Sequence, residues 1–142
     1  MPELKRVSFS LDAALLQRLE DLVCEDGYTN RSEFVRDMIR ERLVRRQWDE
    51  NREVAGTLTL NYNHEVGRLS ETLTHLQHHR HNLVLATTHV HMDEHLCLEV
   101  AIMRGRAGDL HEMAALLRRQ KGVLHAALSL STTGTGLDHP RG

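Results

Sequence analysis

Alternating apolar and polar residues near the start of the chain predict a short strand. The apolar positions of "RVSFSL" are Val7, Phe9 and Leu11, and the polar positions are Arg6, Ser8 and Ser10. This period of two is typical of a strand with one buried face. Two stretches with helical spacing follow, one after the predicted cap Asp12 and one at "NRSE", where Asn30 is the predicted cap. The chain is therefore predicted to begin as strand, helix, helix.

The polar stretch "RRQWDENREVAG" (residues 45–56) is interpreted as a linker to a second unit. That unit contains six segments with strand or helix patterns in the order β-α-β-β-α-β: "VAGTLTLNYN", "EVGRLSETLTHLQHHR", "NLVLATTHVH", "HLCLEVAIMR", "AGDLHEMAALLRRQ" and "GVLHAALSL". The order is that of a ferredoxin-like split βαβ sandwich. We therefore expect an α+β protein with domains at residues 1–50 and 51–131, followed by a disordered tail at 132–142.

The predicted strand at residues 6–11 has no partner strand in its own unit. An isolated strand leaves its backbone hydrogen bonds unsatisfied, so pairing with the same strand of a second chain is the economical solution. In such a ribbon the apolar residues close the dimer core, and Arg6, Ser8 and Ser10 face outward, where they fit a DNA major groove. Asn30 and Arg31, at the start of the second helix, offer N–H groups and positive charge to a phosphate. The alternative is an edge strand of the second unit.

Composition changes this picture mainly through histidine, of which there are 11 among 142 residues. Histidine is the commonest protein metal ligand. The 18 Lys+Arg nearly balance the 20 Asp+Glu, so a DNA-binding hypothesis must rest on local geometry rather than net charge. The chain has two cysteines, Cys24 and Cys97, and it has neither a long apolar run nor a signal-peptide pattern. These features predict a soluble cytoplasmic protein with no membrane partner.

The segment "THVHMDEHLC" carries candidate metal ligands. His89 and His91 lie two apart in a predicted strand, so they share a face with Cα atoms about 6.5–7 Å apart. A turn brings Cys97 back on the neighbouring strand. Two imidazoles and a thiolate suit Zn, Ni or Cu rather than Mg or Ca. The alternative is surface or core histidines beside an ordinary buried cysteine.

A fourth ligand is available in "HLQHHRH", which provides the histidines of the preceding helix: His75, His78, His79 and His81. A planar set of three nitrogens and one sulfur would favour Ni(II) or Cu(II), and a tetrahedral set would favour Zn. The pattern alone does not choose among these four histidines. Four histidines that are isolated in sequence are interpreted as surface residues or weak sites: His64, His111, His125 and His139.

The strand, helix, "GYTNRSEFVRD", helix arrangement resembles the ribbon-helix-helix DNA-binding domain. With "QHHRHNLVLATTHVHMDEHLCLEVAIMRG" added, the chain from residue 5 to about 131 resembles the nickel-responsive transcriptional regulators of the NikR family. The resemblance implies an ACT-type metal-binding domain and a homotetramer built as a dimer of dimers. It also implies one planar Ni(II) site per chain, formed by His89, His91, Cys97 and, from another chain, His78.

The same resemblance implies base contacts from Arg6, Ser8 and Ser10, and a second cation such as K+ held by Glu33 and Asp37. The DNA partner would be a double-stranded operator with inverted half-sites. Repression of nickel-uptake genes at high nickel is implied as well. No catalytic residue is assigned under this interpretation.

Two other classes of function remain open at the level of sequence. One is a ribbon-helix-helix regulator that senses another metal or a small molecule. The other is a small zinc metalloenzyme, in which three protein ligands leave a position for water. Its general base would be Glu94 or Glu99, and Glu99 alternates onto the face of Cys97.

Overall fold

A computed structural model describes residues 3–79 and 82–137 of the chain. The chain divides into two compact units, Met1–Arg40 and Glu41–Gly142. Two helices follow each other at the start: α1 (Ala13–Glu25) and α2 (Arg31–Asp49). Four strands and two further helices complete the second unit: β1 (Glu53–Asn63), α3 (Leu69–His79), β2 (Val84–His91), β3 (Leu96–Arg106), α4 (Ala107–Arg118) and β4 (Val123–Leu130).

Side-chain caps start both N-terminal helices, as the sequence predicts. Asp12 Oδ1 accepts a hydrogen bond from the Leu15 N–H at 2.9 Å, and Asn30 Oδ1 accepts one from the Glu33 N–H at 2.9 Å. Each bond satisfies an N–H group that has no partner within its helix. Gly27, with φ 75°, occupies the left-handed conformation that ends α1.

Residues 6–11 form no strand within the part of the single chain that the structure describes. Val7, Phe9 and Leu11 are 78%, 71% and 41% exposed. Among the described residues, the sheet of the second unit is formed by β1 to β4, and residues 6–11 are not part of it, so the edge-strand alternative is wrong. A strand that pairs only with a second chain would appear, in one chain alone, as an unpaired alternating segment with an exposed apolar face.

The second unit is a four-stranded antiparallel sheet in the order β2-β3-β1-β4. This topology, with α3 and α4 as the intervening helices, confirms the predicted βαββαβ order. One face of β1 is buried at every second residue from Val54 to Tyr62. Leu73 of α3 and Leu110, Met113 and Leu117 of α4 belong to the same core.

The interpretation of residues 45–56 as a polar linker is wrong. Helix α2 continues to Asp49, and β1 begins at Glu53. Val44 and Trp48 belong to the core of the second unit, and Trp48 is only 5% exposed. The polar residues around Trp48 are those of a helix with one apolar stripe. The division between the two compact units falls within α2, after Arg40.

The segment after β4 packs against the second unit over residues 131–137. The Trp48 indole Nε1–H donates to the Ser131 carbonyl at 2.9 Å, and Leu137 packs against the core. Gln47 Nε2 donates to the Thr135 carbonyl, and Thr132 Oγ1 donates to Gln47 Oε1, both at 2.9 Å. These contacts differ from the disorder expected for residues 132–142; the remainder of that tail lies outside the described residues.

Across the described ranges, no helix combines the length and apolar character that crossing a membrane requires.

Candidate metal centre and DNA-binding residues

The pairing of β2 with β3 brings the predicted hairpin ligands onto one face of the sheet. His91 lies directly opposite Cys97, and His89 lies opposite Glu99. The two ring centroids of His89 and His91 are 5.1 Å apart. The Cys97 Sγ lies 3.3 Å from His91 Nδ1. Directly opposite residues on one face are nearest neighbours in an antiparallel pair, so the register itself assembles these three donors.

Tyr62, on β1, orients the ring of His89. It lies opposite Cys97 in the β1–β3 pair, and its hydroxyl is hydrogen bonded to His89 Nδ1 at 3.2 Å. Burial raises the pKa of the Tyr62 hydroxyl, so this group remains protonated at neutral pH. With Nδ1 engaged, Nε2 is the nitrogen that His89 presents to a metal in this arrangement.

The environment of Cys97 suits a bound cation. The residue is fully buried, and burial raises the pKa of its thiol, with further increases from the negative charges of Glu99 and Asp93. A neutral thiol is therefore favoured when no cation is near. Because a divalent ion would stabilise the thiolate and compensate both carboxylates, the donor set fits a borderline metal.

His64 joins this group, although the sequence pattern treats it as isolated. Ligand atoms of His64, His91 and Cys97 all lie within 4.8 Å of one another. The residue follows the end of β1, whose last pair joins Asn63 to Leu96 beside the hairpin turn. His64 Nε2 is also 2.6 Å from the carbonyl oxygen of Glu94. Only the pairing of β1 with β3, which is remote in sequence, brings His64 here.

His78 lies apart from these donors in the single chain. It is exposed in the last turn of α3 and lines a surface cavity together with Gln77, Thr87 and Glu99. The neighbouring Gln77 is buried, and its Nε2 donates to Glu99 Oε2 at 2.8 Å. Of the other candidates, His75 and His79 are exposed on the same helix, and His81 lies outside the described residues.

In the first unit the predicted DNA-binding side chains differ in their surroundings. Arg6, Ser8 and Ser10 are exposed. Arg31 is paired with Glu20, and the side chain of Asn30 already serves as the cap of α2. A phosphate would therefore meet the backbone N–H groups of α2 rather than the Asn30 carboxamide oxygen.

The two predicted ligands of a second cation already have partners. Glu33 pairs with Arg36. Asp37 accepts a hydrogen bond from the Tyr28 hydroxyl at 2.6 Å and one from Arg40 at 3.0 Å. The Tyr28 hydrogen bond is the main reason that the pKa of Asp37 is lowered. The lowered pKa favours the anionic form of Asp37, and a cation at these two carboxylates would compete with Arg36 and Arg40 for them.

Two family descriptions match this chain. "Ribbon-helix-helix protein, copG family" matches residues 5–46, and "NikR C terminal nickel binding domain" matches residues 55–131. A proposed nickel-responsive regulator of Desulfotalea psychrophila is 46% identical over 134 residues, covering 94% of this chain and 98% of the relative. Similar proteins of the same description occur in Solibacter usitatus, at 44% identity, and Pyrococcus abyssi, at 44%. The match to the Solibacter protein covers 94% of this chain and 97% of that relative, and the match to the Pyrococcus protein covers 95% of this chain and 99% of that relative.

Proposed function

This chain belongs to the family of nickel-responsive regulators, and on that premise we propose that it is a DNA-binding transcription regulator whose effector is Ni(II). The family consists of regulators rather than enzymes, so the zinc metalloenzyme alternative is set aside. As a DNA-binding protein it would act in the cytoplasm. When nickel is plentiful it would repress genes for nickel uptake.

The single observation that carries this proposal is the register of β2 and β3. It places His91 against Cys97 and His89 one pair further along the same face. His89, His91 and Cys97 form a donor set of two nitrogens and one sulfur, and the Tyr62 hydroxyl engages Nδ1 of His89. Nickel, when bound, would supply the positive charge that stabilises the buried thiolate of Cys97.

We assign the fourth ligand to His78 of another chain, giving one nickel per chain. Two features of His78 support this: exposure in the last turn of α3, and separation from the other donors within one chain. His64 is the competing donor, because it lies beside Cys97 within the same chain. The two assignments differ in whether metal binding links one chain to another.

Exposed apolar surface in each unit supports a homotetramer, a dimer of dimers. In the first unit, Val7 and Phe9 would be buried when two chains pair their N-terminal strands. In the second unit, one sheet face carries Val90 and Ile102, which are 51% and 45% exposed. A second copy covering that face would join two dimers, and such a tetramer fits an operator with two inverted half-sites.

Within this assembly, Arg6, Ser8 and Ser10 would contact bases and the start of α2, near Arg31, would contact phosphate. Nickel can favour the DNA-binding state only to the extent that it binds that state more tightly. A second cation such as K+, held by Glu33 and Asp37, would neutralise the carboxylates near the start of α2. Its binding should strengthen DNA affinity without changing the nickel site.

Absorption titration of the metal-free protein with Ni(II) tests the ligand set. We expect a thiolate-to-nickel charge-transfer band that disappears in Cys97→Ala, changes in His78→Ala and persists in His64→Ala. A band that changes in His64→Ala but not in His78→Ala would transfer the fourth ligand to His64. The absence of any such band in the unaltered protein would overturn the nickel site.

The regulatory role is tested by selection from a pool of random-sequence DNA duplexes, with and without Ni(II). We expect enrichment of one inverted-repeat sequence only when nickel is present. Equal enrichment in both arms would show that nickel is not the effector. Ser8→Ala should change the selected bases, whereas Cys97→Ala should reduce the yield without changing them.

A further inference from the structure

The segment that follows β4 contacts the last turns of α2. We call residues 131–137 the C-terminal strap. The Ser131 N–H donates to the Ala55 carbonyl of β1 at 2.9 Å, and the Ser131 carbonyl accepts the Trp48 indole N–H at the same distance. Leu137, at the other end of the strap, packs against the core that contains Trp48. Both ends of the strap are therefore attached to the second unit.

Gln47 attaches the middle of the strap to α2 through both polar atoms of its amide. Its Nε2 donates to the Thr135 carbonyl, and its Oε1 accepts a hydrogen bond from Thr132 Oγ1, both at 2.9 Å. The strap itself is neither helix nor strand. A segment held by a few side-chain contacts can open at low free-energy cost while the rest of the fold stays intact.

Trp48 is the other contact that holds the end of α2. Its ring packs edge-on against His111 of α4, with centroids 5.2 Å apart. Gly56 of β1 allows this position, because a Cβ atom there would lie 3.2 Å from the tryptophan ring. The strap completes the site by supplying the hydrogen-bond acceptor for the indole N–H. The docked position of Trp48 therefore depends on β1, α4 and the strap together.

Helix α2 carries the chain from the first unit into the second. It extends from Arg31 to Asp49, and the division between the units falls after Arg40. No glycine or proline interrupts it, and these are the residues at which helices most often kink. Its start is the proposed phosphate contact, and its end is the part that the strap holds. The strap therefore acts on the one element that both units share.

We propose that the C-terminal strap holds the end of α2 in its docked helical state, and that this contact couples nickel binding to DNA binding. The coupling rests on the proposed function, whereas the holding contact does not. When the strap is closed, α2 remains helical to its end. When the strap opens, the last turns of α2 fray and become a flexible linker, so the metal site loses its physical connection to the first unit.

Nickel affinity itself does not depend on the strap. Within the part of the chain that the structure describes, no hydrogen bond joins the strap to the hairpin donors His89, His91 and Cys97. Opening the strap therefore leaves the metal ligands in place and removes only their effect on DNA binding. This separates the strap from residues that position the metal.

A chain that ends at Thr132 tests the holding contact, because it lacks Thr135 and Leu137 but keeps the Ser131 carbonyl within a peptide bond. Trp48 is the only tryptophan, so its fluorescence reports the end of α2 directly. We expect stronger quenching by acrylamide and about tenfold faster hydrogen–deuterium exchange in residues 43–49. The matched control is a chain that ends at Leu137, which keeps the whole strap and should behave as the unaltered protein.

Gln47→Ala is a second variant, in which the complete strap is present but both amide contacts are lost. It should show the same increases in quenching and exchange, so the result does not depend on truncation alone. Arg45→Ala, an exposed change on the same helix, is its control. Unchanged quenching and exchange in both strap variants would overturn the holding contact.

The coupling is measured as the gain in DNA affinity that Ni(II) causes. The probe is the labelled inverted-repeat duplex recovered by the selection described above, and fluorescence anisotropy follows its binding. In both strap variants we expect this gain to fall by about fivefold or more, while the thiolate-to-nickel band is retained. Faster exchange together with an unchanged gain would overturn the coupling. Absence of nickel-dependent DNA binding in the unaltered protein would instead overturn the proposed function and the coupling that rests on it, and the exchange measurement would still decide the holding contact.

Discussion

At the scale of single residues, one buried hydrogen bond links the metal-bearing sheet to α3. Gln77 and Glu99 are 7% and 9% exposed, and Gln77 donates to Glu99. Glu99 lies opposite His89, and Gln77 precedes His78 in sequence. This contact therefore fixes the last turn of α3 against the strand that carries Cys97.

Replacing Gln77 with leucine should weaken both the fold and metal binding. Glu99 would lose its partner in a buried position, which costs about 1–3 kcal/mol of unfolding free energy. Nickel affinity should fall as well, because His78 would be less well positioned. Urea unfolding and nickel titration measure the two effects. The control is Gln17→Leu, which changes an exposed glutamine and should leave both unchanged.

The pair of Tyr28 and Asp37 should make stability depend on acid pH. The hydrogen bond from the Tyr28 hydroxyl is the main cause of the lowered pKa of Asp37. The folded state therefore favours the carboxylate. Its stabilising contribution is present above the usual pKa of an aspartate and is lost as pH falls through the lowered value.

Tyr28→Phe tests this contribution while keeping the ring that packs edge-on against Phe34. Compared with the unaltered protein, the variant should be less stable at neutral pH. The difference should shrink as Asp37 becomes protonated in both. Thermal unfolding followed by circular dichroism across the acid range measures it. A difference that stays constant with pH would contradict the role of Asp37.

At the scale of elements, the end of α2 and the segment after β4 hold each other in place. Gln47 uses both its amide oxygen and its amide nitrogen on this segment. Gln47→Ala should therefore increase hydrogen–deuterium exchange in residues 132–137 while leaving the strands protected. Arg45→Ala, an exposed change on the same helix, is the control and should not alter exchange in this segment.

Most elements were predictable because their patterns are local. Caps at Asp12 and Asn30, helical spacing and strand alternation all depend on neighbouring residues. The linker interpretation failed because two apolar residues in this polar stretch, Trp48 and Val54, are buried in the core, and only the folded structure shows what they contact.

The candidate site was predictable to the same extent. His89, His91 and Cys97 belong to one hairpin, so their proximity follows from a short segment. His64 was missed because it reaches Cys97 through the pairing of β1 with β3, which lie more than thirty residues apart in sequence. The fourth ligand from another chain rests on the family resemblance and remains a prediction.

At the scale of the whole molecule, the uncovered sheet face makes the assembly testable. Ile102 lies on this face, opposite Thr57 of β1, and is 45% exposed. Ile102→Lys should convert the proposed tetramer into dimers, because a charge would be buried without a partner. Light scattering measures the mass. Leu130→Lys is the matched control: Leu130 is also 45% exposed, but it pairs with Gly56 on the helix-covered face.

The register of β3 has a consequence for how the sensor can fail. Cys97, Ala101 and Met103 share one face of β3, and all three are fully buried. A slip of one residue would turn every side chain of the strand to the other face, exposing the core together with the thiol. A chain that has folded has therefore already placed the Cys97 thiol on the buried face, where it meets the histidines of β2. Correct folding is therefore a precondition for metal sensing. A change in metal preference must come from replaced side chains, because a protein with a shifted β3 would be misfolded.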